Sequence, residues 1–183
     1  MSKETLLAVL RRHPFVEEFQ PEHIEMLTSI AKEVDFARDQ VIFHEGDECH
    51  EFYLIVAGRV ALEIEAPDHT FRVQTLGAGD ELGWSAILMG RGKHFQARAL
   101  ENTHALAFDG GALLEACRKD GSFGFALMYR MLGVVSERLQ GTRLQVLDMY
   151  SPVAKRAGTE RHFRPRKCRR RPSGRLFYGV RLI

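Results

Sequence analysis

The chain has 183 residues, 45% of them hydrophobic, which suits one ordinary globular core plus an appendage. No run of about 18 apolar residues occurs, so the sequence argues against a membrane-spanning helix, and the charged N-terminus is not typical of a signal peptide. Cys49, Cys117 and Cys168 are odd in number and lack a C-x-x-C spacing. This usage argues against a disulfide framework or a zinc site and indicates a cytoplasmic location.

The net charge of +2 hides a strong asymmetry along the chain. Residues 1–150 contain 15 Lys and Arg against 23 Asp and Glu, a net of −8, whereas residues 151–183 contain 11 against one acid, Glu160, a net of +10. We expect this basic tail to be disordered because it has few apolar residues and several prolines and glycines. It could bind nucleic acid weakly through charge alone, or it could have no separate role.

Residues 1–33 are predicted to form the N-terminal helices. The first covers Lys3–Arg12, with Ser2 as its N-cap. The second covers Glu22–Lys32, and Pro21 suits its first turn because proline needs no N–H partner there.

From residue 34 the hydrophobic pattern changes to short strands that are separated by turn residues. The candidate strands are VDFA, QVIF, EFYLIV, RVALEI, TFRVQTL, FQARAL and HALAF. Such a series predicts a mainly β fold with flanking helices. We expect an antiparallel β-roll, or jelly-roll barrel, over residues 34–109.

Residues 110–150 are predicted to form a hinge and a long C-terminal helix. A short helix capped by Asp109 should end near Lys119. A break at Gly121 should then precede a long helix over about residues 123–149.

Apolar residues recur at three- and four-residue spacing along the long helix, among them Phe125, Met128, Leu132, Val135, Leu139 and Val146. This stripe favours a coiled-coil seam and a parallel homodimer. A second face could pack on the roll and leave the stripe free; it comprises Leu127, Met131, Val134 and Leu147. The alternative is that the stripe itself packs on the roll.

The stretch GDELGWSAILMGRGKHFQARA, residues 79–99, joins a glycine turn, a short apolar helical turn, a basic loop and a return strand. Gly83 permits close backbone approach, and the first N–H groups of a helical turn can face an anion. The loop adds several basic side chains. The candidate ligand-binding residues are Gly83, Trp84, Ser85, Ala86, Arg91, Lys93, His94 and Arg98.

Two features resemble the cyclic nucleotide-binding domain family, which includes catabolite-activator-type regulators and regulatory subunits of cAMP-dependent kinase. One is Gly46-Asp47 followed by the hairpin sequence EFYLIVAGRV at 51–60; the other is GDELG at 79–83 with ARA at 97–99. The resemblance covers about residues 10–148. It implies a sensor domain whose phosphate-binding cassette holds a cyclic nucleotide, cAMP or cGMP.

Two side chains depart from the pattern of that cassette. The family has a glutamate for the ribose 2′-hydroxyl where this chain has Trp84, and an arginine for the phosphate where it has Lys93. Loss of a charged acceptor costs about 1.5–3 kcal/mol, or roughly 10- to 150-fold in affinity. Lysine retains the charge but lacks the planar bidentate fork. These changes argue against tight cAMP binding in the usual mode and leave another small anion open.

The leading interpretation is a regulatory small-ligand sensor, without its own helix-turn-helix, whose C-terminal helix signals to a partner protein. Two alternatives remain open. The first is a ligand-free dimerisation or protein-interaction scaffold in which Trp84 plugs the cavity. The second is nonspecific nucleic-acid association through the basic tail.

Catalytic and metal-binding chemistry find little support in the sequence. None of the eight histidines forms an H-x-H pair, and no G-x-S-x-G or Walker sequence occurs. We therefore expect no catalytic residue, no metal and no cofactor, and a chain that is not an enzyme.

Overall fold

The structure is a computed structural model that describes residues 2–48, 50–87 and 92–150, with the backbone alone at 145, 146 and 148–150. The predictions for Arg91, for the side chain of Val146 and for the tail at 151–183 lie outside the described residues.

Helices flank a set of strands in the described part of the chain. In chain order the elements are α1 (Lys3–Arg11), a 3₁₀ turn (Pro14–Val16), α2 (Pro21–Ile30), β1 (Lys32–Phe36), β2 (Val41–Phe43), β3 (Glu51–Ala57), β4 (Val60–Ala66), β5 (His69–Leu76), β6 (Glu81–Leu82), a 3₁₀ turn (Trp84–Ala86), β7 (Gln96–Ala99), β8 (Thr103–Asp109), α3 (Gly110–Lys119) and α4 (Gly121–Tyr150).

The eight strands form two antiparallel four-stranded sheets. The strand order is β1-β8-β3-β6 in one sheet and β2-β7-β4-β5 in the other. This arrangement confirms the predicted β-roll with flanking helices and a long C-terminal helix. The second helix is shorter than predicted: α2 ends at Ile30, because Ala31 is already extended and the chain enters β1 at Lys32.

Side-chain caps set the helix ends where the sequence predicted them. Ser2 Oγ accepts from the third N–H along α1 at 3.3 Å, and Asp109 Oδ1 accepts from Ala112 N at 2.7 Å. Asp120, between α3 and α4, accepts from the N–H of Ser122 at 2.9 Å. Such bonds satisfy donors that the first turn of a helix leaves free.

Strand β3 is buried on both of its faces. Phe52 and Leu54 belong to a core shared with α1, α2, α3 and α4, whereas Tyr53 and Ile55 belong to the core inside the roll. Alternating side chains of a strand point to opposite faces, so an uninterrupted apolar run is needed at this position.

The predicted second face of the long helix packs on the body, as the buried side chains of Leu127, Met131 and Val134 confirm. Leu147, predicted on the same face, is instead 53% exposed. Three residues of the predicted stripe are largely exposed, namely Phe125 (73%), Leu132 (67%) and Leu139 (69%). Met128 and Val135 are half-buried. The stripe is therefore not the surface on which α4 packs against the roll.

The described residues between 2 and 141 form one compact unit. The divisions that the sequence predicted after residues 33, 109 and 150 stay predictions. Side chains from the N-terminal helices, β3, β8 and α4 share one core.

His13 fixes the turn after α1 to the centre of the first sheet. Its Nδ1 accepts from Phe15 N at 3.2 Å, so Nε2 carries the proton and donates to Ile55 O at 3.1 Å. The residue is buried, and burial lowers the pKa of His13 below its ordinary value of 6.5.

The stability contributed by His13 should decrease in acid. Because its pKa is lower in the folded chain, the unfolded chain binds more protons as pH falls through 6.5. The difference in unfolding free energy between wild type and His13→Ala should shrink between about pH 7.5 and 5.5, by at most about 1.4 kcal/mol per pH unit. Urea unfolding at several pH values measures it. A constant difference across this range would contradict the assignment.

Candidate functional site

Gly83 forms the turn between β6 and the short helical segment that follows. Its φ is 81°, in the left-handed region, and Ala86 N donates to its carbonyl at 2.9 Å. A Cβ at this position would lie 2.5 Å from the carbonyl oxygen of Glu51 on β3. Only glycine combines this conformation with so close an approach. The helical segment is a single 3₁₀ turn, Trp84–Ala86.

Lys93 places a buried cation directly beside the Gly83 turn. Its backbone bonds to the turn at residues 46–47, and its side chain is only 4% exposed. The ammonium donates to Gly83 O at 3.3 Å and Glu51 O at 3.4 Å, and lies 4.9 Å from the centroid of the Phe43 ring. These contacts hold the charge in a largely apolar environment, where an anion would be attracted strongly.

Trp84 occupies the other side of the turn. It is half-buried against the core that contains the helices, and its ring centroid lies 6.4 Å from that of His94. The cavity at this point is lined by Phe43, Leu62, Gly83, Trp84, Ser85, Lys93, His94, Phe95 and Arg138. Its volume is about 30 Å³, whereas small-molecule sites usually measure about 300–1,000 Å³. The side chains themselves fill most of the site.

Arg138 is a lining residue that the sequence analysis missed. It projects from α4 and donates through Nη2 to both the carbonyl oxygen and Oε1 of Glu81, the latter at 2.9 Å. Helical spacing could have identified this residue, since position 138 follows Leu127, Met131 and Val134 on the buried face of α4. A charged residue on a buried helix face needs a partner, and here that partner lies two residues before Gly83.

Burial is the largest influence on the pKa of Glu81, the partner of Arg138. It raises the pKa of Glu81 above its ordinary value, and the positive charge of Arg138 acts in the opposite direction. Arg138 therefore offsets part of the cost of burying the charged form of this carboxyl group.

Arg98 is not among the residues that line this cavity, and its predicted part in ligand binding stays a prediction. Its guanidinium donates to buried Glu63 at 2.6 and 3.0 Å and lies 3.6 Å from Asp39. The hydrogen bond from Arg98 lowers the pKa of Glu63. Neighbouring Ala97 faces the core of the roll, so alternation along β7 directs Arg98 to the opposite side.

The remaining predicted residues divide into two groups. Gly83, Trp84, Ser85, Lys93 and His94 line the cavity together, whereas Ala86 belongs to the turn but not to the lining. Among the described residues no cluster of three or more His, Cys, Asp or Glu side chains could hold a metal ion. The same part of the chain contains no helix with the length and hydropathy needed to cross a membrane.

Residues 33–120 match the family model of the cyclic nucleotide-binding domain. A curated relative from Mycobacterium tuberculosis, a CRP-like cAMP-activated global transcriptional regulator, is 26% identical over 144 residues; the match covers 77% of this chain and 62% of that protein. A cAMP/cGMP-dependent phosphodiesterase B from Dictyostelium discoideum is 32% identical over 81 residues, which is 43% of this chain but 7% of the enzyme. So short a segment carries no inference about the enzyme's reaction.

Solved structures share the fold. A cyclic nucleotide-binding domain from Methylobacillus flagellatus superimposes with a TM-score of 0.69 at 20% identity, covering 80% of this chain and 83% of that one. The catabolite activator protein of Thermus thermophilus gives a TM-score of 0.63 at 23% identity, covering 75% and 63%. Residues 33–120, which span the β-roll and α3, are thus a domain of the cyclic nucleotide-binding type.

Proposed function

We propose that this chain is a cytoplasmic regulatory module that senses a small anionic ligand at the Gly83 turn and signals through α4. The observation that carries the proposal is the contact of Arg138 with Glu81. It joins the long helix directly to the strand that leads into the turn. The same cavity is lined by Lys93 and Arg138, so two cations from different elements face one small space.

Because the cavity is small, ligand entry is linked to movement of its lining side chains. An anion larger than a water molecule can enter only if a lining side chain moves, because the cavity measures about 30 Å³. An anion that binds Arg138 competes with Glu81 for the guanidinium. Each charge-assisted hydrogen bond of this kind contributes about 1.5–3 kcal/mol. Exchange of this partner would shift α4 between a state tied to β6 and a state tied to the ligand.

A cyclic nucleotide is the first ligand to test, since a relative is described as cAMP-activated. The departures at Trp84 and Lys93 weaken the usual binding mode. Trp84 offers a ring face in place of an acceptor, and Lys93 offers charge without a bidentate fork. The proposal is therefore of a sensor with modest affinity for cyclic nucleotides or with preference for another small anion.

Trp84 allows binding to be observed directly, because it is the one tryptophan of the chain. Addition of a ligand that enters the cavity should change its emission. We expect millimolar cAMP or cGMP to produce a small change in the wild type. An Arg138→Met variant should lose about 10-fold or more in affinity for the same ligand if Arg138 binds it. Arg143→Met makes the same change at an exposed arginine of α4; it is the control and should leave the titration unaltered.

Restoring the two family side chains tests the identity of the ligand. A Trp84→Glu, Lys93→Arg protein should bind cAMP at least about 10-fold more tightly than the wild type. Isothermal calorimetry is the readout because the variant lacks tryptophan, and thermal unfolding confirms that it is folded. Absence of heat from both proteins at millimolar cAMP and cGMP would refute the cyclic-nucleotide assignment.

A ligand-free scaffold is the second candidate, and the filled cavity is the observation that favours it. In this case Trp84 acts as a plug that stabilises the roll. A Trp84→Ala change would then lower the unfolding free energy by about 3–5 kcal/mol, the cost of removing a large aromatic side chain. Chemical denaturation measures this cost. Self-association through α4 would continue without any ligand.

We further propose that two copies of the chain associate through the exposed stripe of α4. Leu132 and Leu139 lie seven residues apart on one side of the helix and are both largely exposed. Exposed apolar residues repeated at this interval are typical of coiled-coil seams.

An aspartate at Leu139 should disrupt the dimer, because it would place a charge in the seam. The matched control is Gln140→Asp, which adds the same charge about 100° around the helix, at an exposed position. Sedimentation should show monomer for Leu139→Asp and dimer for wild type and the control. Equal masses for the two variants would contradict the seam.

A further inference from the structure

Arg130 on α4 carries a buried nitrogen without a hydrogen-bond partner. Its Nε is inaccessible to solvent and unbonded among the described residues, and its guanidinium carbon lies 5.9 Å from the ring centroid of Phe15. In contrast, Arg98 and Arg138 both bond to carboxylates. A buried guanidinium nitrogen that lacks an acceptor is costly, so a matching acceptor from outside the chain would be favourable.

A cavity of about 490 Å³ lies beside Arg130, at the junction of the segment before α2 with the first turns of α4. We term it the helix-junction cavity. Its volume is within the range of about 300–1,000 Å³ for small-molecule sites. Its apolar wall is aromatic, with Phe19 on one side and the stacked rings of Phe125 and Tyr129, 6.0 Å apart, on the other.

His23, which also lines this cavity, carries a second buried atom that lacks a partner among the described residues. Its side chain is buried, and its Nε2 lies 3.1 Å from Ser122 Oγ and 3.3 Å from Asp120 Oδ2. Its Nδ1 has no partner within the described part of the chain. Three buried side-chain atoms of the described residues lack a partner, and two of them belong to residues that line this one cavity. Such a concentration points to a built polar site.

We propose that the helix-junction cavity binds a small aromatic monocarboxylate. The carboxylate would accept from Arg130, for which a planar guanidinium is well suited. The ring would lie among Phe19, Phe125 and Tyr129, where aromatic pairs are favourable. Glu18 also lines the cavity, and its negative charge disfavours ligands with two or more charges.

This site is independent of the cavity at Gly83. The two share no lining residue in the described part of the chain. A ligand in the helix-junction cavity would contact the segment before α2 and the start of α4 together. It would thereby stabilise the packing of α4 on the N-terminal helices.

Phenylacetate and its neutral analogue 2-phenylethanol provide the probes. Calorimetry with the full chain should show that phenylacetate binds the wild type, and that Arg130→Met weakens it about 10- to 100-fold. Arg143→Met, on the same helix, is the matched control and should retain wild-type affinity. The affinity of 2-phenylethanol should change little in either variant. Thermal unfolding verifies the fold, and Arg130→Lys, which retains the charge, should bind with intermediate affinity.

Equal phenylacetate affinity in wild type and Arg130→Met would overturn the proposal, as would absence of binding to the wild type and to Leu139→Asp. The second protein is included because Phe125 lies both in this cavity and on the stripe of α4, so that a second copy of the chain could cover the entrance. The Trp84→Glu, Lys93→Arg protein should retain phenylacetate binding. Failure at one site is thus distinguishable from failure at the other.

Discussion

The structure depends on a strand that is buried on both faces. Strand β3 pairs with β8 and β6 in the first sheet, and its side chains alternate between the core of the roll and the core beneath the helices. The helices therefore cover the second face of β3 and complete the burial of this strand. The Gly83 turn approaches the backbone of the same strand at Glu51. The candidate site and the helix core thus both rest on β3, the site at its first residue and the core along one of its faces.

The two cations that line the candidate site, Lys93 and Arg138, are stabilised in different ways. Lys93 is bonded to backbone carbonyls and faces an aromatic ring, so its charge is stabilised by dipoles and by the ring quadrupole. Arg138 is stabilised by a carboxylate whose own ionisation is opposed by burial. The two cations thus differ in the groups that bond to them: backbone carbonyls bond to Lys93, and Glu81 bonds to Arg138.

Much of the fold could be predicted from the sequence because its determinants are local. The apolar run EFYLIV predicted a strand, and the caps at Ser2 and Asp109 predicted the starts of helices that the structure confirms. Short-range spacing also placed Gly83 and Lys93 together. The direction of Arg98 could not be predicted, because alternation alone does not tell which face of a strand is buried. Arg138 was missed because its partner lies 57 residues away along the chain, and such contacts follow from packing rather than from local pattern.

The glycine of the cassette has a consequence for the interpretation of related sequences. Its left-handed conformation and its distance from the Glu51 carbonyl are demands of the fold, and they hold whether or not a ligand binds. Trp84 and Lys93 are under no comparable constraint, because neither has a positive φ. Substitution of these two side chains is therefore compatible with the same turn. The presence of the glycine in a related sequence predicts the turn and does not by itself predict a ligand.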